Sequence, residues 1–148
     1  MEDISLHLLD VAENALTAGA QRIEIRIFEM QSEDLLRIEI EDNGSGMDEE
    51  AISRALDPFY TTKDSKRVGL GLPLLAQAAR EAGGAVEIHS EPGKGTKICA
   101  TFQLSHPDLK PLGNILETLA TLIVGHPEVQ YVFDHRKNGE VVCQWKSS

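Results

Sequence analysis

A carboxylate followed by two glycines, Asp42-Asn43-Gly44-Ser45-Gly46-Met47, is the stretch of this chain with the clearest chemical potential. An ionised aspartate only accepts hydrogen bonds, so in a dry pocket Asp42 selects an amine donor, such as the exocyclic amine of adenine. Gly44 and Gly46 leave the backbone free to approach a ligand or to take a positive φ. A second pair, Gly69-Leu70-Gly71, runs into Pro73, which fits the first turn of a helix. Glycines that feed a helix N-terminus expose backbone N–H groups at the positive end of the helix dipole, a cradle for phosphate. His7, Asp10 and Asn14 follow one another at spacings of three and four, so on a helix they share a face, with neighbouring Cβ atoms about 5–6 Å apart. Lys63, Lys66 and Arg67 form a small basic patch between the two glycine stretches. Taken singly, these are also a solvated turn, a hinge, a polar helix surface and a charged loop.

The elements that must position these residues are legible from periodicity. Residues 3–18 read as a helix with Ile4, Leu8, Val11, Ala12 and Ala15 as its apolar stripe, closed at Gly19 by a left-handed cap. Residues 21–30 alternate, with Ile23, Ile25 and Ile27 on one side. Residues 35–42 alternate again, placing Leu36, Ile38 and Ile40 inward and Arg37, Glu39 and Glu41 outward. The two strands make an antiparallel hairpin whose apolar face calls for helices. Asp48 is a helix N-cap, with Met47 and Ile52 placed as a hydrophobic staple and Glu49 and Glu50 suited to the dipole, and that helix ends near Asp57-Pro58. Residues 59–68 read as a polar loop. Leu74, Leu75, Ala78, Ala79 and Ala82 make a helical apolar face that Gly83-Gly84 ends. Strands at 85–91 and 96–104 flank a Pro92-Gly93-Lys94-Gly95 turn, and Thr96 opens the second strand. After a boundary at residues 105–108, a helix is expected over 111–125 and a hairpin over 128–146, turning at Lys137-Asn138-Gly139.

Composition bounds the partners. A net charge of −10 and a pI near 4.9 oppose nucleic acid or an anionic membrane as the main partner, since both attract Lys and Arg. No apolar run approaches the ~20 residues that span a bilayer. The acidic N-terminus leads straight into a helical pattern, so no signal peptide is expected. Cys99 and Cys143 lie far apart in strand-like runs, which fits buried thiols in a reducing cytoplasm better than a disulfide.

Jointly, the helix with Asn14, the Asp42-x-Gly44-x-Gly46 turn, the basic loop, Gly69-x-Gly71 and Gly93-x-Gly95-Thr96 resemble the GHKL ATPase superfamily of gyrase, heat-shock chaperone, histidine kinase and MutL proteins. The resemblance implies a Bergerat-type fold: a two-layer α/β sandwich of the α+β kind, with a mostly antiparallel mixed sheet and helices on one face. It covers residues 1–105 as an ATP-binding domain and leaves 106–148 as a C-terminal extension of helix plus β-hairpin. By the same resemblance, Asn14 binds Mg²⁺, Asp42 accepts from the adenine amine, and Gly44 and Gly46 shape the adenine pocket. Gly69, Leu70 and Gly71 lie beside the phosphates, and Thr96 supports an adenine-bound water. Asp57-Pro58-Phe59-Tyr60-Thr61-Thr62-Lys63 resembles the start of the ATP lid in histidine kinases, with Lys63 as a candidate phosphate contact.

Some residues depart from that pattern. Residues 10–20 look like the MutL and topoisomerase version of the asparagine motif, in which a glutamate four residues before the asparagine activates water. That position is Asp10 here, a shorter carboxylate and a candidate general base. The lid segment and Gly95-Thr96 look like histidine kinases instead. Neither a phosphoacceptor helical hairpin nor a transducer domain is visible in the sequence. The resemblance implies a Mg-ATP-dependent protein kinase whose acceptor lies on a partner protein. A slow ATPase switch is the alternative, and a non-catalytic nucleotide-sensing module a further one. A homodimer is compatible with each.

Overall fold

A computed structural model describes residues 3–56 and 71–147. The apolar periodicities become helices of seven to fourteen residues and a single sheet. Helix α1 spans Ile4–Thr17 and starts at Asp3, whose side chain accepts from Leu6 N–H. It ends in a Schellman closure: Gly19 takes φ +85° and the N–H of Ala20 reaches the carbonyl of Ala15 at 3.1 Å. Strands β1 (Arg22–Met30) and β2 (Leu35–Asp42) pair antiparallel across a short 3₁₀ turn. Helix α2 (Glu49–Ala55) starts at the N-cap Asp48, which accepts from Ala51 N–H at 2.8 Å. Helix α3 (Gly71–Glu81) leads to β3 (Val86–Glu91) and β4 (Gly95–Gln103). Helix α4 (Ile115–Gly125) precedes β5 (Gln130–Lys137) and β6 (Glu140–Lys146).

The six strands form one mixed sheet in the order β3-β4-β2-β1-β5-β6. Only β1 and β5 run parallel; every other neighbouring pair is antiparallel. Alternation sends Ile23, Ile25, Ile27, Leu36, Ile38, Ile40, Ile98, Phe102, Tyr131 and Phe133 to one side, where they are buried. On that side they meet Leu8, Val11 and Ala12 of α1, Leu75 and Ala79 of α3, and Leu119 and Leu122 of α4, all in one cluster. Helix α1 lies centrally and touches both α3 and α4. This is the α+β sandwich that the sequence implies, with helices on one face of the sheet.

Two details differ from the sequence reading. Helix α4 starts at Ile115 rather than at 111, because the preceding backbone has another task. The carbonyls of Pro111 and Leu112 accept from the N–H groups of Ile4 and Ser5, both at 2.9 Å, and so cap the first turn of α1. Asn114 then opens α4 by accepting from Glu117 N–H. Glu39, expected outside, does stand on the open face of the sheet but is only 6% exposed. Arg26 and Arg37 each bind one of its carboxylate oxygens at 2.7 Å. Burial pushes the Glu39 carboxyl up, but the two guanidinium groups outweigh it and hold the group below its ordinary value. Cys99 is buried, Cys143 is half-buried, and both thiols are free. Among the described residues no helix is long and apolar enough to cross a membrane.

Candidate functional site

The turn that follows β2 is stitched to three elements. Asp42 stands opposite Thr96 of β4 in the sheet register. Its Oδ1 accepts from the N–H of Gly44 at 2.7 Å, an Asx-type closure that two residues beyond an aspartate readily make. The side-chain oxygen of Asn43 accepts from the N–H groups of Gln21 and Arg22 at 2.8 and 2.9 Å, which anchors the turn to the start of β1. Ser45 N–H binds the carbonyl of Ala18 at 3.0 Å, and Ser45 in turn accepts from Gly93 N–H. Met47 N–H donates to the hydroxyl of Ser90 at 2.8 Å, and the hydroxyls of Ser90 and Thr96 lie 2.8 Å apart. Gly46 takes φ +76°, and a Cβ there would sit 2.0 Å from the carbonyl oxygen of Glu91, so no other residue fits without moving the β3–β4 turn.

Beneath this turn lies a cavity of about 390 Å³. That is within the ~300–1,000 Å³ of small-molecule sites. Helix α1 and its C-cap supply Val11, Asn14, Ala15 and Ala18 to one wall; Met47, Ala51, Arg54 and Ala55 come from the other side. Leu72 of α3 and Ile98 of β4 complete an apolar lining, and Asp42 and Thr96 bring polar groups into it. Burial raises the Asp42 carboxyl above its ordinary range, and the N–H groups of Gly44 and Thr96 offset this only in part. An acceptor-only group in an apolar cavity is suited to a heteroaromatic amine.

The structure brings four of the sequence candidates, Asn14, Asp42, Gly46 and Thr96, into one lining. Gly44 is buried beneath the turn and serves the Asp42 carboxylate. Asp10 and Gly71 adjoin the cavity without lining it, and they adjoin each other. A Cβ on Gly71 would fall 2.3 Å from the Cβ of Asp10, so glycine is what lets the α3 N-terminus meet α1 at this level. Asp10 is exposed, whereas His7, one turn earlier on the same face, is buried. Glu13 is exposed on another side of α1. Lys63, Lys66, Arg67, Gly69 and Leu70, with the whole 57–63 motif, lie outside the described residues.

The sequence reading missed Asn43, Ser90 and Arg54. Asn43 and Ser90 carry no periodic signal, because their partners arrive from remote strands. Arg54 stands in the fourth helical position beyond Glu50 and pairs with it at the rim of the cavity. Its spacing from Glu50 was the available signal.

Comparison with known proteins bears on the family and the fold. The family model for histidine kinase-, DNA gyrase B- and HSP90-like ATPases matches residues 2–106. The sensor protein kinase FleS of Pseudomonas aeruginosa is 36% identical over 110 residues, covering 74% of this chain and 27% of FleS. The signal transduction histidine-protein kinase AtoS of Escherichia coli is 41% identical over 108 residues, covering 72% of this chain and 17% of AtoS. The chain thus spans under a third of either relative's length. Among solved structures, the Aquifex aeolicus MutL ATPase domain complexed with ADP has a TM-score of 0.54 at 19% identity, covering 99% of this chain and 64% of that one. The N-terminal domain of a DNA repair protein has a TM-score of 0.66 at 15% identity, covering 98% and 53%. At those identities the likeness is one of fold, and it extends past residue 106 into the C-terminal helix and strands. The matched family model, spanning most of the chain and the whole of the cavity lining, makes this protein a member of the histidine kinase-, DNA gyrase B- and HSP90-like ATPase family.

Proposed function

We propose that the chain binds Mg-ATP in the cavity beneath Asp42 and transfers the γ-phosphoryl group to a side chain on a partner protein in a signalling pathway of the cytoplasm. The observation that carries this is the convergence of Asp42, Thr96 and Asn14 on one apolar cavity. Asp42 accepts from the adenine amine, and the linked Thr96 and Ser90 hydroxyls support a water on the same base edge. The phosphates run toward Asn14, Asp10 and the N-terminus of α3, where helix N–H groups favour anions. Asn14 offers one amide oxygen at the cavity wall and Asp10 one carboxylate a turn away. A hard cation that keeps phosphate and water oxygens in its shell needs only one or two protein ligands, so the residues fit Mg²⁺, with Asn14 holding it. When bound, the ion neutralises charge on the transferring phosphoryl group. Lys63 is the proposed lid contact to the phosphates. Phosphoryl transfer asks mainly for positioning and charge neutralisation, and these groups supply both.

A slow ATPase that works as a nucleotide-dependent switch is the second reading. It is favoured by the contact between Asp10 and Gly71, which sets a carboxylate beside the α3 N-terminus, where a water is oriented for attack. Incubation of γ-labelled ATP with the chain and with proteins captured on it separates the two. Label moving to a captured protein, and surviving Asp10→Asn, supports the kinase. Release of free phosphate that Asp10→Asn abolishes, with no protein labelled, overturns the kinase in favour of the switch.

A further inference from the structure

Strand β6 ends the sheet, and among the described residues nothing pairs with its outer edge. Natural edge strands are usually blunted by a charge in mid-strand. Here the charges stand only at the ends, Glu140 and Lys146, and the interior reads Val141-Val142-Cys143-Gln144-Trp145. Val142 is 56% exposed and Trp145 39%. Next to them lies a second cavity, of about 430 Å³, far from the site beneath Asp42. It runs between the start of α4 and the inner side of β5 and β6, bounded by Leu112, Leu116, Phe133, Val142 and Cys143. Leu116 at its rim is 58% exposed. The C-terminal hairpin thus carries an indole and an apolar hole side by side.

The hydrogen-bonding direction of β6 follows from its far end. Ser147 N–H donates to the carbonyl of Tyr131 at 2.9 Å, and the N–H of Tyr131 donates to the Ser147 hydroxyl at 2.7 Å. Antiparallel ladders alternate, so Cys143 and Trp145 turn their backbone groups toward β5, and Gln144 and Lys146 turn theirs to the open edge. Cys143 faces His135, and Trp145 faces Phe133, on the helix side of the sheet. The register shifts between His135 and Arg136, which leaves Val142 as the bulged residue of β6 and limits the regular edge to residues 143–146.

We infer that the occupant of this edge is a second copy of the same chain, paired antiparallel through β6 about a two-fold axis at Gln144. In that register Trp145 of each copy stands against Cys143 of the other and enters the cavity bounded by Leu116 and Val142. The fit is reciprocal, as an isologous interface requires, because knob and hole lie on one strand. The edge segment from 140 to 146 is itself neutral, in a chain whose net charge of −10 repels a copy elsewhere. The resulting sheet has twice the strands and keeps the two nucleotide cavities at the outer flanks.

Sedimentation equilibrium of the full chain across the micromolar range tests this. The expected result is a dimer that Trp145→Glu, or independently Val142→Glu, converts to monomer while circular dichroism stays unchanged. In a Cys143→Ser background, Gln144→Cys is expected to form a covalent dimer under mild oxidation, since directly opposed residues of such a pair bring their Cα atoms to about 5.5 Å, within disulfide reach. Glu140→Cys in the same background is the control. A wild-type monomer throughout, a dimer that survives both glutamate variants, or crosslinking at residue 144 no faster than at residue 140 overturns the proposal. Neither readout depends on nucleotide.

Discussion

Asp42 carries opposing demands. Its carboxylate is the proposed reader of the adenine amine, yet burial favours the neutral form. A carboxyl whose pKa is raised in the folded state keeps its proton after the unfolded chain has lost one. Stability therefore falls as pH rises through the interval from the ordinary aspartate value up to the raised one, and the loss persists at neutral pH. Asp42→Asn retains an oxygen for the Gly44 N–H and removes the buried charge. The expected outcome is a higher melting temperature for the nucleotide-free protein at neutral pH. Titration calorimetry of the same variant is expected to show ATP binding weakened by roughly 10–100-fold, the worth of one charge-assisted hydrogen bond. Unchanged affinity would remove Asp42 from the adenine-reading role.

At the scale of elements, the proposed phosphate end depends on one close approach. Helix α3 can begin against α1 only because residue 71 has no side chain. Gly71→Ala forces its methyl group into Asp10 and pushes the two helices apart. Overpacking of this kind costs about 1–3 kcal/mol. The expected outcome is a lowered denaturant midpoint, together with ATP binding weakened more than adenosine binding, because the adenine end at Asp42 and Thr96 is left in place. Equal loss for both ligands would place the α3 N-terminus away from the phosphates. The N-terminus of α1 is equally dependent on a remote segment. Its first N–H groups are satisfied by Pro111 and Leu112, which ties the asparagine-bearing helix to the C-terminal part of the chain.

For the whole molecule, that tie makes the C-terminal helix and strands part of the sandwich. β5 lies beside β1, and Tyr131 and Phe133 are buried in the common core. Deletion of residues 107–148 uncovers the flank of β1 and the α4 side of α1. It is expected to abolish cooperative unfolding, as followed by circular dichroism against urea; a truncated chain that still unfolds in a sharp transition would refute this. The folded protein as a whole is also expected to be a nucleotide sensor. Mg-ATP at a hundredfold excess over its dissociation constant stabilises a folded state by about 2.7 kcal/mol, which corresponds to a rise in melting temperature of roughly 5–10 °C for a chain of this size. A thermal scan with neither ATP nor ADP moving the transition would sink the nucleotide reading.

Local order was written in the sequence: strand alternation, helix stripes, the cap at Asp48 and the Gly19 stop depend on near neighbours, and the sequence placed most of the elements within a residue or two. The combination of Asn14, Asp42, Gly44, Gly46 and Thr96, read in order along the chain, also pointed to the family whose model matches. Tertiary structure decided what depends on distant partners. Glu39 alternates outward yet is buried, because Arg26 and Arg37 close over it from its own and a neighbouring strand. The helix expected from residue 111 starts later, because the backbone of Pro111 and Leu112 is diverted to cap α1. Asn43 and Ser90 gain their roles only when the β1 start and the β3–β4 hairpin converge on one turn. Periodicity records which way a side chain faces; only the folded chain determines what meets it there.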